Sequence, residues 1–146
     1  MGNWIYDDGG RNAAGFSGHA GDCVVRAVAI ASRLDYRVVY DTLSQGARAQ
    51  RVTKGKHKAS ARNGISVKRK WFRDYMASLG FVWIPTMGIG TGCTVHLAHA
   101  ELPAGRLVVA VSKHYTAVID GVVHDTYDPS RDGNRCVYGY WKRAVK

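Results

Sequence analysis

The chain has 146 residues, of which 46% are hydrophobic, enough for one packed core and too few for two ordinary domains. No apolar run approaches the roughly 20 residues of a membrane helix, so no membrane partner is expected. The formal charge of +10 favours polyanionic partners, nucleic acid above all. Met1-Gly2-Asn3-Trp4-Ile5-Tyr6 has neither the basic and apolar sections of a secretion signal nor the Ser or Thr of a myristoylation site. The three cysteines are odd in number and lack framework spacing. They point to free thiols in a reducing compartment, the cytoplasm.

Residues 2–21 hold six glycines and read as an irregular lead-in, a type of segment that often approaches ligands closely. A helix follows from Cys23 to about Ser32, small or apolar on every face except at Arg26, as suits a buried central helix. Asp22 falls near its N-cap and Cys23 in its first turn. Unpaired N–H groups and the helix dipole there lower a thiol's pKa and raise its thiolate fraction. Arg26 is expected to pair with a buried acid, with substrate contact as the alternative.

Asp35 can cap a second helix with the stripe Tyr36, Val39, Tyr40 and Leu43, ended by Gly46. Residues 47–65 lack periodicity and read as a mobile basic loop. Ten of the 21 basic residues lie between Arg48 and Arg73 with no acid among them, a block that attracts phosphate. Ser66 can cap a third helix that buries Val67, Trp71, Phe72, Tyr75, Met76 and Leu79, with Gly80 beyond its end. Its other face carries Lys68, Arg69, Lys70 and Arg73, the residues through which nucleic acid would bind, with Trp71, Phe72 and Tyr75 as potential stacking partners.

Phe81–Ile84 reads as a strand stopped by Pro85, Met87–Cys93 as a glycine loop, and Leu107–Val111 as a continuous apolar run of strand length. The clearest local pattern is His114–Ile119, Asp120-Gly121, Val122–Tyr127, a hairpin with a two-residue turn. Cys136–Trp141 can add a last strand. Helices come first and strands second, so the predicted class is α+β with a mostly antiparallel sheet. Cys93, His96 and His99, three apart, do not converge on either a strand or a helix, so no metal site and no cofactor are expected; Cys136 is read as packing.

With Ile119 opposite Val122, His114 falls opposite Tyr127 and Asp125 lies diagonal to it on the same face. Asp125 is therefore the first choice for orienting His114, with Asp128 in reserve should the register shift. An oriented histidine frees its second nitrogen for a thiol, and Cys23, His114 and Asp125 form a nucleophile–base–orienter set.

On Asp22-Cys23-Val24-Val25-Arg26-Ala27 and on His114-x4-Ile119-Asp120-Gly121-Val122, the chain resembles papain-like cysteine peptidases. It is similar to small hypothetical proteins of bacteriophages and prophages and to double-glycine-leader peptidases. The resemblance implies one papain-like domain over 1–146, with a helical half led by the Cys23 helix and a sheet half carrying the hairpin. It further implies a bacterial host cytoplasm and a cysteine-dependent hydrolase or acyltransferase acting on an amide, peptide or isopeptide bond of a peptide or protein. Cys23 would be nucleophile, His114 base and Asp125 orienting acid. Such peptidases carry a glutamine six residues before the cysteine, where this chain has Ser17, so Ser17 and His19 are the candidate oxyanion donors. The alternative is a non-catalytic basic protein that binds nucleic acid or a host protein on the same scaffold.

Overall fold

The computed structural model describes residues 4–15, 22–49, 67–88, 90 and 92–143. Arg106–Val111 forms β3, apolar throughout after its first residue because it is covered on both faces. Val108 and Ala110 face the helices, whereas Leu107, Val109 and Val111 pack with Leu97, Leu102 and Val137 on the other side. Helices thus cover one face, and the segments around residues 95–102 and 137 cover the other.

The described residues contain three α-helices and a six-stranded mixed sheet, an α+β arrangement. The strands are β1 (Trp4–Tyr6), β2 (Phe81–Pro85), β3, β4 (His114–Ile119), β5 (Val122–Asp125) and β6 (Gly139–Arg143), in the spatial order β1-β5-β4-β3-β6-β2. Four pairings are antiparallel; β1 runs parallel to β5, with Tyr6 beside Asp125. Among the described residues no helix is long and apolar enough to cross a membrane.

Helix α1 (Cys23–Ser32) is buried along its whole length after Cys23. Its C-terminal carbonyls accept hydrogen bonds from two sheet arginines: Arg106 reaches Ala31 O at 3.0 Å and Ile30 O at 2.6 Å, and Arg143 reaches Ser32 O at 2.8 Å. Cations at the negative end of the dipole satisfy groups that burial would otherwise strand, and they fix the helix axis over the sheet. Helix α3 (Lys70–Ser78) buries Phe72 and Met76, with Val67, Trp71, Tyr75 and Leu79 packed at the core's margin. It starts at Lys70, after a turn at residues 67–68, rather than at a Ser66 cap, and Ser66 lies outside the described residues. Gly80 follows α3 with φ of 86°, the left-handed conformation that ends a helix.

Four sequence expectations need correction. Gly46 does not end α2 (Tyr36–Ala49) but lies inside it, because the Trp71 ring occupies the space a side chain would need: an added Cβ would sit 2.3 Å from Trp71 Cε3. The start of the proposed 47–65 loop is accordingly helical, and residues 50–65 lie outside the described residues. The glycine-rich lead-in is not irregular throughout. It contributes β1 and then a turn in which Asp7 and Asp8 accept N–H bonds from Gly9, Gly10 and Asn12, stacked on α1 so closely that a Cβ at Gly9 would meet Arg26 O at 3.1 Å. Finally, the last strand starts at Gly139 rather than Cys136, since Val137 and Tyr138 bond to Val95 and Ala110 ahead of the ladder.

The hairpin follows its local pattern. Asp120 and Gly121 have φ of 50° and 82°, and the ladder aligns Ile119 with Val122, Val118 with Val123 and Ala117 with His124.

Candidate active site

Cys23 opens α1, in the first turn where backbone N–H groups lack intrahelical acceptors. Asp22 occupies the N-cap position, but its carboxylate does not cap the helix. It turns inward, buried, to pair with Arg26 and accept the Tyr36 hydroxyl, with Arg11 Nε at 3.1 Å. Burial and the Asp22 carboxylate together raise the pKa of Tyr36, keeping its hydroxyl a donor. Arg26 reaches onward, its Nη2 lying 3.7 Å from Asp125 Oδ1. The lone charge of the helix thus bridges two buried acids, Asp22 one turn earlier and Asp125 on the sheet.

Asp125 is 3% exposed and uses both oxygens. Oδ2 lies 2.8 Å from His114 Nε2 and accepts from Thr116 Oγ1 at 2.6 Å, while Oδ1 accepts the Thr126 N–H at 2.7 Å. Burial alone would raise its pKa, but the bonds from His114 and Thr116 outweigh that and hold the carboxyl below its ordinary value. Asp128 is engaged elsewhere, accepting the Ser130 N–H at 3.0 Å in the following turn. The Tyr127 ring lies against His114 with centroids 5.2 Å apart.

With Nε2 directed at Asp125, Nδ1 is the nitrogen left for the thiol. Burial would lower the pKa of His114, but hydrogen bonds to Asp125 and Cys23 raise it to about 9. Cys23 is the complement. Burial pushes its thiol up, while hydrogen bonds from His114 and the Tyr115 backbone N–H, then the charges of His114 and Arg26, bring it below its ordinary value. A raised imidazole beside a lowered thiol brings the proton affinities of the two groups together, so that each favours the charged form of the other.

The sulfur opens on a cleft of about 630 Å³ walled by Trp83, Tyr115, Tyr138 and Trp141. Among the described residues, Lys68, Arg73 and Lys113 line it beside His114, and no acid does. Of the remaining predicted basic residues, Lys70 pairs with Asp74 at 2.7 Å and Arg69 sits at the N-cap of α3. Arg73 lies over the Trp141 ring at 5.7 Å. Ser17 and His19 lie outside the described residues.

Sequence reasoning missed Thr116; its expectation that Arg26 pairs with a buried acid is met twice over, by Asp22 and Asp125, neither of which it had named for that role. Thr116 could have been found, since it is the direct cross-strand partner of Asp125 in the predicted register. The expectation of three free thiols is overturned: Cys93 and Cys136 form a disulfide with Cα atoms 5.7 Å apart, and Cys23 is the free cysteine. The inference to a reducing compartment drawn from free thiols loses its basis. The reading of Cys93, His96 and His99 as non-convergent holds for His99, whose ring packs under Gly121. Cys93 and His96 do converge, with Cys136 rather than His99, and these three could hold a metal. Compared with family models, curated proteins and solved structures, the chain matches none.

Proposed function

We propose that the protein is a cysteine-dependent hydrolase or acyltransferase of papain-like architecture, acting on an amide or isopeptide bond. The reading is carried by His114, whose Nε2 lies 2.8 Å from Asp125 Oδ2, standing beside a Cys23 thiol of lowered pKa at the start of a buried helix. A single reactive-looking cysteine is common. One wired to an oriented histidine and opening on a substrate-sized cleft is not.

In this reading the Cys23 proton rests on His114 Nδ1, and the thiolate attacks the amide carbonyl carbon. The C–N bond breaks as His114 returns the proton to the departing nitrogen, leaving a thioester on Cys23. Water or an amine, deprotonated by His114, then cleaves the thioester. The Cys23 backbone N–H, at the positive end of α1, is a donor for the developing oxyanion. Asp125 holds the imidazole's orientation and stabilises its charge, and Thr116 positions Asp125. The aromatic walls suit an apolar stem. The cations Lys68, Arg73 and Lys113 favour a substrate carrying negative charge near the scissile bond, such as an acidic peptide or a free carboxylate. Two of the residues considered for nucleic acid, Lys68 and Arg73, are thereby assigned to substrate binding.

The test is alkylation at neutral pH followed by intact mass. One iodoacetamide equivalent should add to the unreduced protein within the time an unstructured thiol remains largely unmodified, and Cys23→Ser should remove it. A Cys23 that reacts no faster than a model thiol would overturn the reading.

A further inference from the structure

The exposed side of the sheet's rim carries a second cysteine–histidine group. Residues 93–97 run beside residues 135–138, held by Val137 N–H to Val95 O and Leu97 N–H to Arg135 O, each 2.8 Å, with His96 and Cys136 as bridge partners. This pairing brings together Cys93 and Cys136, 43 residues apart in the chain, and sets the His96 ring beside them. Cys93 Sγ lies 3.5 Å from His96 Nε2, and the ligating atoms of Cys93, His96 and Cys136 all fall within 4.8 Å of one another.

Two independent features of this group match a metal site. Zinc bonds of about 2.3 Å to sulfur and 2.0 Å to nitrogen at a tetrahedral angle put the two ligand atoms about 3.5 Å apart, the separation found between Cys93 Sγ and His96 Nε2. The histidine is also oriented for ligation: Nδ1 lies 3.1 Å from Glu101 Oε1, which also accepts the His96 backbone N–H at 3.1 Å. A carboxylate on Nδ1 places the proton there and leaves the Nε2 lone pair facing the sulfurs, the outer-shell arrangement of zinc-bound histidines.

We propose that Cys93, His96 and Cys136 form a thiol-gated zinc site, closed as the disulfide and able to take one divalent zinc ion once the disulfide is reduced. A dithiol reductant supplies two electrons and two protons, breaking the S–S bond and itself becoming a disulfide. Zinc then displaces the two thiol protons to solvent and binds both sulfurs and His96 Nε2. Cys93 is exposed, so the disulfide is open to attack by such a reductant, and water completes the coordination. The site uses no residue of the Cys23 cleft, and it stands or falls separately from the proposed chemistry there.

The experiment uses the full chain with Cys23→Ser, so that Cys93 and Cys136 are the only thiols. After reduction with a phosphine, and with circular dichroism showing the fold retained, one equivalent of zinc should bind in competition with a chromophoric chelator. Cobalt should give thiolate charge-transfer absorption. Unreduced protein should bind neither. Cys136→Ser should abolish tight binding, while His96→Ala and Glu101→Gln should weaken it at least tenfold, the range seen for ligand-orienting partners. Metal uptake by the unreduced protein, uptake insensitive to His96→Ala, no uptake by folded reduced protein, or unfolding on reduction would each overturn the proposal. In the last case the pair would be a structural crosslink.

Discussion

Two parts of this molecule contain the same three kinds of residue, cysteine, histidine and carboxylate, and the arrangement makes them different devices. In the cleft, one thiol meets an imidazole whose Nε2 faces a buried aspartate. At the rim, two cysteines meet an imidazole whose Nδ1 faces a half-exposed glutamate and whose Nε2 faces sulfur. Burial separates them first. Asp125 is 3% exposed and braced by Thr116, so its charge acts in a poorly screened surrounding, while the Glu101 side chain is 39% exposed and better screened. Thiol count separates them next: a lone thiol beside a charged imidazole can act as a nucleophile, whereas a pair exchanges electrons or holds a metal. Composition therefore says little about a cysteine–histidine pair until burial and partner number are known.

The contrast can be broken at several points. Largest is turnover: on any amide substrate found, Cys23→Ser and His114→Ala should each cost about 10⁴-fold in kcat, and His96→Ala should leave it within twofold. Losses from both histidines would show the two groups to be coupled. Next comes stability. Asp125→Ala strands buried His114 and Thr116 and should cost about 3 kcal/mol, roughly a hundredfold or more in the folding equilibrium, read by urea melts. Glu101→Ala should leave the midpoint unchanged. A smaller effect is expected in labelling. At pH 7 His114→Ala should slow iodoacetamide at Cys23 about thirtyfold, since an ordinary thiol is only a few per cent thiolate there.

The pH dependence follows from the same groups. Cys23, with its pKa lowered, should keep its alkylation rate as the pH falls below the ordinary thiol range, where an unstructured model thiol loses its own. In the proposed reaction the His114 proton goes to the leaving nitrogen, so turnover should fall as the pH rises through about 9. Asp125→Asn removes the largest raising influence and should move that upper limb to lower pH. An upper limb unmoved in Asp125→Asn would mean that the aspartate does not set the imidazole. Smallest is charge selectivity. Neutralising Lys68, Arg73 and Lys113 together should lower the rate with iodoacetate relative to iodoacetamide by about three- to tenfold at low salt, and less as salt is added.

The parts of this architecture visible in the sequence are those set by local rules. The Cys23 helix shows in an apolar run longer than a strand, and the Asp120-Gly121 turn fixes the hairpin register, so that counting two residues along each strand places Asp125 diagonal to His114. What stayed hidden depends on distant partners. Gly46 looks like a helix end because nothing nearby reveals that Trp71 needs its missing side chain. The three residues of β1 have strand propensity, but so short a run shows as a strand only once its parallel partner β5 is known. The pairing of Cys93 with Cys136 comes from two loops lying side by side, which no spacing encodes. Asp22 looks like a cap because it stands where caps stand, yet with Arg26 one turn away and Tyr36 opposite, ion pairing wins over capping.

The Asp120-Gly121 turn has one further consequence. Gly121 combines a φ of 82° with a His99 ring 2.7 Å from where a Cβ would stand, so the bend admits neither another residue type nor a shifted apex without rearrangement. Every position along the hairpin is counted from that apex. Inserting one residue after Gly121 would turn Asp125 outward and bring a neighbour beside His114, leaving an intact sheet whose reactive groups no longer meet. The bend is thus an origin of measurement for the His114–Asp125 pair at the hairpin's other end. Variants that change length at this turn should therefore be poorly tolerated, although neither Asp120 nor Gly121 lines the cleft.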